Sequence, residues 1–225
     1  MSSHPTEAVQ DYLKAIHSLG GVDGVVSPAE IVKCLKVKAP SVTGMLKRLA
    51  DAGWIEYSAG NGAKLTIEGV KEARRVIRRH RLVELFLTRA LGLDWSEVDA
   101  EAEALEHAIS PRLEEAIAAY LGEPLEDPHG HPIPSATGEL ELRKLKKLCE
   151  FQAGDCVLIR EAQDDNPERL RRWSELGLRP GIIVMIQKFE PLDDLFELLV
   201  ENRVVRLGSE GLAGLRGEVL ETSPR

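Results

Sequence analysis

Apolar residues recur at helical spacing through the first half of the chain and give way to short strand-like runs in the last third. Val9, Tyr12, Leu13, Ile16 and Leu19 form one stripe of a helix over residues 8–19, which Gly20-Gly21 ends. Ser27-Pro28-Ala29-Glu30 supplies an N-cap, a first-turn proline and the acid of a capping box, so a second helix runs to about Leu35. After the turn Lys36-Val37-Lys38-Ala39, a third helix starts near Pro40 and stops at Gly53, with Val42, Met45, Leu46 and Leu49 facing inward. Residues 54–57 and 63–67 flank Gly60-Asn61-Gly62 as two strands. Two short helices, a tight turn and a hairpin make a winged helix-turn-helix, in which Ser41, Thr43, Gly44 and Lys47 leave a small, polar face for base edges.

A fourth helix opens at 66–69 and leads into residues 78–107, which predict two further amphipathic helices, over 80–91 and 96–109. The first carries Leu82, Val83, Leu85, Phe86, Leu87 and Leu91, more apolar surface than one buried stripe takes, so part of it is expected to face another subunit. Ser110-Pro111 starts a seventh helix that ends at Leu121-Gly122. Residues 123–138 are rich in Pro and Gly and predict an extended linker, where His129 and His131 are expected as exposed turn residues. A short charged helix over 139–150 follows. Five strand-like runs then begin near 155, 180, 196, 203 and 217, with a helical turn or two in 167–176, and suggest a small SH3-like barrel. The expected architecture is mainly α with a small all-β C-terminal domain, divided into 1–74, 75–138, 139–150 and 151–225.

Composition narrows the function classes. No apolar run approaches the ~20 residues of a membrane span, and MSSHPTEAVQ has no signal pattern, so a cytoplasmic protein without a membrane partner is expected. Cys34, Cys149 and Cys156 lack CxxC spacing and indicate neither a disulfide framework nor a thiolate zinc site. The net charge of −8 hides a basic segment: residues 30–81 hold 12 Lys/Arg against 5 Asp/Glu, or +7, leaving −15 on the rest. That asymmetry points to nucleic acid. There is no H-E-x-x-H, nucleophile elbow or Gly-rich phosphate loop, so no catalytic residues, enzyme activity or small organic substrate are expected.

The candidate chemistry is metal binding. Glu103, Glu106 and His107 stand at i, i+3 and i+4, which stacks them on one face of the expected helix; His80 and Glu84 stand at i and i+4, and Asp99 follows. Carboxylates crowded this way repel one another unless a cation sits among them. A solvated acidic face, and with it a metal-independent winged-helix regulator, is the alternative.

The segments DYLKAIHSL, PSVTGMLKRLADAGWIE, RRHRLVELFL, LEHAIS and GHPIPS, in this order and ahead of a barrel, resemble the diphtheria-toxin-repressor family of metal-dependent transcriptional regulators over nearly the whole chain. The resemblance implies a DNA-binding domain at 1–74, a helical metal-binding and dimerisation domain at 75–138, a linker helix at 139–150 and an SH3-like, FeoA-like domain at 151–225. It implies a homodimer that binds double-stranded operator DNA when loaded with metal and, as the expected outcome, represses metal-homeostasis genes. It places Asp11, Glu103, Glu106 and His107 in a primary metal site. An ancillary site would use His80, Glu84 and Asp99, joined by Glu168 or Asp165. Pro40, Ser41 and Thr43 map to base-contacting positions, with Lys38, Lys47, Arg48 and Lys64 near phosphates. Oxygen ligands with one imidazole suit Mn²⁺, with Fe²⁺ as the alternative. Manganese-type members with two ions close together use an acid where this chain has Lys14, which favours two separate sites here.

Overall fold

The computed structural model describes residues 5–58, 60–163 and 166–220 and resolves into two compact units. The first contains the described residues up to Arg79 together with 106–109 and 134–140; the second contains 80–105, 110–133 and the described residues from 141 onward.

In the first unit, α1 (Glu7–Ser18), α2 (Pro28–Leu35) and α3 (Ala39–Asp51) precede an antiparallel hairpin of β1 (Ile55–Ser58) and β2 (Gly62–Leu65), and α4 (Ile67–Leu91) begins. Ser27 caps α2 reciprocally with Glu30, as expected. Leu13, Ile16, Ile31, Val42, Leu46 and Leu49 build the core, with Met45 partly buried against it. The hairpin closes on this core through a bridge between Val26 and Ala63, which requires glycine at 62. There φ is +102°, and a Cβ would fall 2.5 Å from the Val26 carbonyl oxygen.

Three expectations about the helices change. α4 is one 25-residue helix rather than two, because no glycine or proline stands between Gly69 and Gly92 to break it. α5 spans Val98–Leu105 and ends before Glu106 and His107, which lie in the following turn instead of on the same helical face as Glu103. No helix forms over 139–147; a two-residue strand, β3 (Lys146–Lys147), and a 3₁₀ turn at Leu148–Glu150 stand there.

In the second unit, α4 from His80 onward, α5 and α6 (Pro111–Tyr120) precede the barrel. The barrel strands are β3, β4 (Cys156–Ala162), β5 (Ile183–Glu190), β6 (Leu195–Val200), β7 (Arg203–Gly208) and β8 (Leu215–Val219), with α7 (Pro167–Leu176) after β4 and the single turn α8 (Ser209–Leu212) before β8. The sheet order is β3-β8-β4-β5-β6-β7. Val157, Ile159, Val184, Ile186, Phe196, Leu198 and Trp173 fill its core, which Trp95 of the segment before α5 joins.

Candidate metal centres and nucleic-acid surface

α1 presents Gln10, Asp11 and Lys14, and the turn after α5 brings Glu106 and His107 to them. The ligand atoms of Asp11, Glu106 and His107 all lie within 4.8 Å of one another. His107 Nε2 is 2.8 Å from Asp11 Oδ1 and 3.4 Å from Glu106 Oε1. Its other nitrogen, Nδ1, stands 2.8 Å from the Gln10 side-chain oxygen, while the Gln10 amide nitrogen donates to the buried Glu72 carboxylate at 2.9 Å. Glu72 therefore orients Gln10, Gln10 accepts from Nδ1–H, and Nε2 is left to face the two carboxylates. A ligating histidine is commonly held this way, with its second N–H on an outer acceptor. Gln10 and Glu72 went unmarked in the sequence; the detectable signal is a polar pair on the buried faces of α1 and α4.

Glu106 is fully buried, and its Oε1 accepts from Lys14 Nζ at 2.7 Å. The residue that blocks a second acid on α1 is thus a partner of the first centre, supplying a positive charge to a carboxylate that would be costly to bury alone. The donor set, two carboxylates and an imidazole with a fixed orientation, fits a hard divalent ion.

The second cluster lies in the other unit. His80, Glu84 and Asp99 bring their ligand atoms within 4.8 Å of one another, with His80 Nε2 3.6 Å from Glu84 Oε1 and 3.4 Å from Asp99 Oδ1. Glu103 is exposed, and its Oε2 stands 3.7 Å from His80 Nδ1. Glu84 is fully buried, and among the described residues neither carboxyl oxygen takes a hydrogen bond. Burial pushes its carboxyl up, and His80 nearby pulls it partly back. Orphaned buried oxygens between nitrogen and oxygen donors fit a cation. Glu168 is exposed on α7 and joins no cluster of ligand atoms among the described residues; Asp165 lies outside the described residues.

His129 and His131 are not exposed. His129 is fully buried and His131 partly so, because Asp127 Oδ1 accepts the backbone N–H of both and folds the segment into a turn. The His129 carbonyl accepts from Ala162 of β4, and Gly130, at φ +84°, packs so tightly that a Cβ would fall 1.8 Å from the Arg160 carbonyl oxygen. Burial works against ionisation of Asp127, but His131 and Arg81 beside it prevail and lower its pKa to about 2.

On the exposed face of α3, Pro40, Ser41, Thr43, Lys47 and Arg48 stand clear of the core, with Lys38 at the N-cap; Lys64 of the wing is half-buried. A Cβ added at Gly44 would meet nothing within 4 Å. Arg74 and Arg78 donate to the carbonyls of Gly138 and Pro134, and Arg79 is buried.

Three family models match this order of parts. Residues 4–63 match the N-terminal DNA-binding domain of the iron-dependent repressors, 66–135 their metal-binding and dimerisation domain, and 146–213 the FeoA domain. The chain belongs to the iron-dependent repressor family of metal-dependent transcriptional regulators. It is 29% identical over 196 residues to the iron-dependent repressor IdeR of Mycobacterium leprae, covering 80% of this chain and 84% of that protein. It is 33% identical over 106 residues to the transcriptional regulator MntR of Lysinibacillus sphaericus, covering 47% and 76%. Among solved structures, a manganese-dependent transcriptional repressor in complex with manganese aligns with a TM-score of 0.88 at 31% identity, over 94% of this chain and all of that one. As a member of this family the protein is a DNA-binding regulator and not an enzyme, and no helix among its described residues is long and apolar enough to cross a membrane.

Proposed function

We propose that this protein is a Mn²⁺-responsive repressor that binds a two-fold operator as a homodimer. Asp11, Glu106 and His107, with Glu103 as the resemblance implies, hold the regulatory ion. The second centre uses His80, Glu84 and Asp99. The observation that carries the reading is the convergence of Asp11 Oδ1, Glu106 Oε1 and His107 Nε2, with the imidazole aimed by Gln10. The ion supplies positive charge that binds α1 to the turn at 106–109. Asp11 sits on the helix against which α2 packs, so fixing Asp11 fixes the support of the α2–α3 reading head. Ser41 and Thr43 then face base edges, while Lys38, Lys47, Arg48 and Lys64 meet phosphates. Because metal favours the DNA-competent arrangement, DNA tightens metal by the same factor.

Exposed Leu91, Leu105, Leu113 and Tyr120 in the second unit support a dimer, in which two recognition helices stand about 34 Å apart along the groove. Oxygen-rich donors without sulfur support Mn²⁺ over later metals; Fe²⁺ is the alternative, favoured by the iron-dependent relatives. The Lys14–Glu106 pair favours a second reading, a regulator that needs no ion at the first centre, since Lys14 compensates Glu106 internally. Selection from a randomised duplex library, with Mn²⁺, with Fe²⁺ under reducing conditions and with chelator, separates these readings. Enrichment of a two-fold sequence at the lowest free concentration of Mn²⁺ is expected. Equal enrichment in chelator would establish the metal-independent reading, and enrichment at much lower free Fe²⁺ would establish the iron one.

A further inference from the structure

The run that enters the barrel carries positive charge that its surroundings do not neutralise. Residues 142–149 hold four Lys/Arg and no Asp/Glu, in a chain whose net charge is −8. Arg143 pairs with Glu126 and donates to the Gly130 carbonyl. Lys144, Lys146 and Lys147 are exposed and form no ion pair among the described residues. β3 sets Lys147 directly opposite Arg216 of β8, which is also exposed and likewise without an ion pair among the described residues, while Lys146 stands opposite Gly217. We propose that Lys144, Lys146, Lys147 and Arg216 form a second phosphate-binding surface, on the barrel, that holds duplex DNA outside the sequence read by α3. The proposal rests on the reading of the chain as a metal-responsive operator binder.

The placement of the charges argues for it. Like charges directly opposite one another across an antiparallel pair destabilise that pair. Elsewhere the barrel avoids such a cost: Arg160 pairs with Glu218 at 2.6 Å, Arg206 with Glu197 at 2.7 Å and Arg172 with Glu175 at 3.1 Å. Glu161 of β4 lies opposite Arg216 on its other side, yet the two form no ion pair. A polyanion relieves a cluster of this kind, and each phosphate it brings releases condensed counterions. Duplex DNA is already the partner of this family of regulators. Lys144 follows Leu140, the last residue of the first unit, by four positions, so at most about 14 Å of chain ties the basic run to the unit that carries α3.

Protection of a sheet edge explains only part of the arrangement. Lysines on an edge strand deter pairing with another chain, which accounts for Lys146 and Lys147 of β3, the first strand in the sheet order. It does not account for Arg216, which stands on the inner strand β8, or for Lys144, which precedes β3. Ammonium and guanidinium groups on flexible stems meet phosphates without reading bases, so this surface adds affinity and salt dependence but no sequence preference.

The test uses the full-length, Mn²⁺-loaded protein and two duplexes, one carrying the selected two-fold sequence alone and one extending it by about two helical turns of arbitrary sequence on each side. Log affinity is followed against log salt for the wild type and for the combined variant Lys144→Gln/Lys146→Gln/Lys147→Gln/Arg216→Gln, with a circular dichroism spectrum to show that the variant is folded. The wild type is expected to bind the longer duplex more tightly and with a slope steeper by at least about 2, since each phosphate contact contributes about 0.9. In the variant the two slopes should coincide, and binding to the shorter duplex should be unchanged. Equal slopes for wild type and variant on the longer duplex would overturn the proposal, and self-association of the variant in sedimentation beside that result would assign the lysines to guarding the β3 edge instead. The wild type alone supplies a readout that no substitution disturbs. Equal slopes on its two duplexes would contradict the barrel surface while leaving the operator reading standing. No binding of either duplex by the Mn²⁺-loaded wild type would overturn that reading, and the proposal with it.

Discussion

The two acidic clusters resolve the same electrostatic problem in opposite ways. In the first, the buried Glu106 has an ammonium at 2.7 Å, and His107 is held by a relay through Gln10 to Glu72. In the second, the equally buried Glu84 has no hydrogen bond at either oxygen among the described residues, and imidazoles stand at 3.5 and 3.6 Å. The first cluster is stable without an ion, and an ion must compete with Lys14. The second is left with an uncompensated cost that a cation relieves. Similar ligand sets are therefore expected to differ in threshold, the first resisting metal and the second favouring it.

The largest effect that would sharpen the contrast is on metal-free stability. Glu106→Leu removes the carboxylate 2.7 Å from Lys14 Nζ and is expected to cost about 3 kcal/mol, whereas Glu84→Leu removes a buried carboxyl and should be neutral or stabilising. Denaturant melts in chelator check this; equal losses in both variants would erase the distinction. Next in size is Gln10→Ala, which frees His107 to rotate and should weaken the first ion ~10-fold or more without changing the fold, measured by Mn²⁺ titration calorimetry beside a circular dichroism spectrum. Lys14→Met removes the competing charge and should tighten the same ion by ~10-fold at a small cost in metal-free stability, in the same titration. The smallest effect is at the reading surface. Lys47→Ala should weaken operator binding alike for all sequences and reduce the slope of log affinity against log salt by about 1.

Much of this was legible in the chain. The α2 capping box, the apolar stripes of α1 and α3 and the barrel strands follow from local rules, because each element is specified by its own residues. Helical spacing put Glu103, Glu106 and His107 on one face, whereas α5 ends at Leu105 and Glu106 and His107 come to Asp11 from the following turn, without Glu103. The segment around His129 was misjudged because Pro and Gly usually mark exposed linkers, whereas here Asp127 captures two backbone amides and Gly130 permits close approach to β4. Lys14 stands where close-pair members have an acid, but its pairing with Glu106 joins positions 92 apart in sequence, beyond any local rule.

The central claim is that a cation bound by Asp11, Glu106 and His107 makes the reading head competent for DNA. The most direct measurement is operator binding against free Mn²⁺ for the wild type and Asp11→Ala, with a thermal melt to show that the variant is folded. The account predicts metal-stimulated binding in the wild type and a loss of ~100-fold or more in the folded variant. Wild-type Mn²⁺ dependence in Asp11→Ala would contradict it.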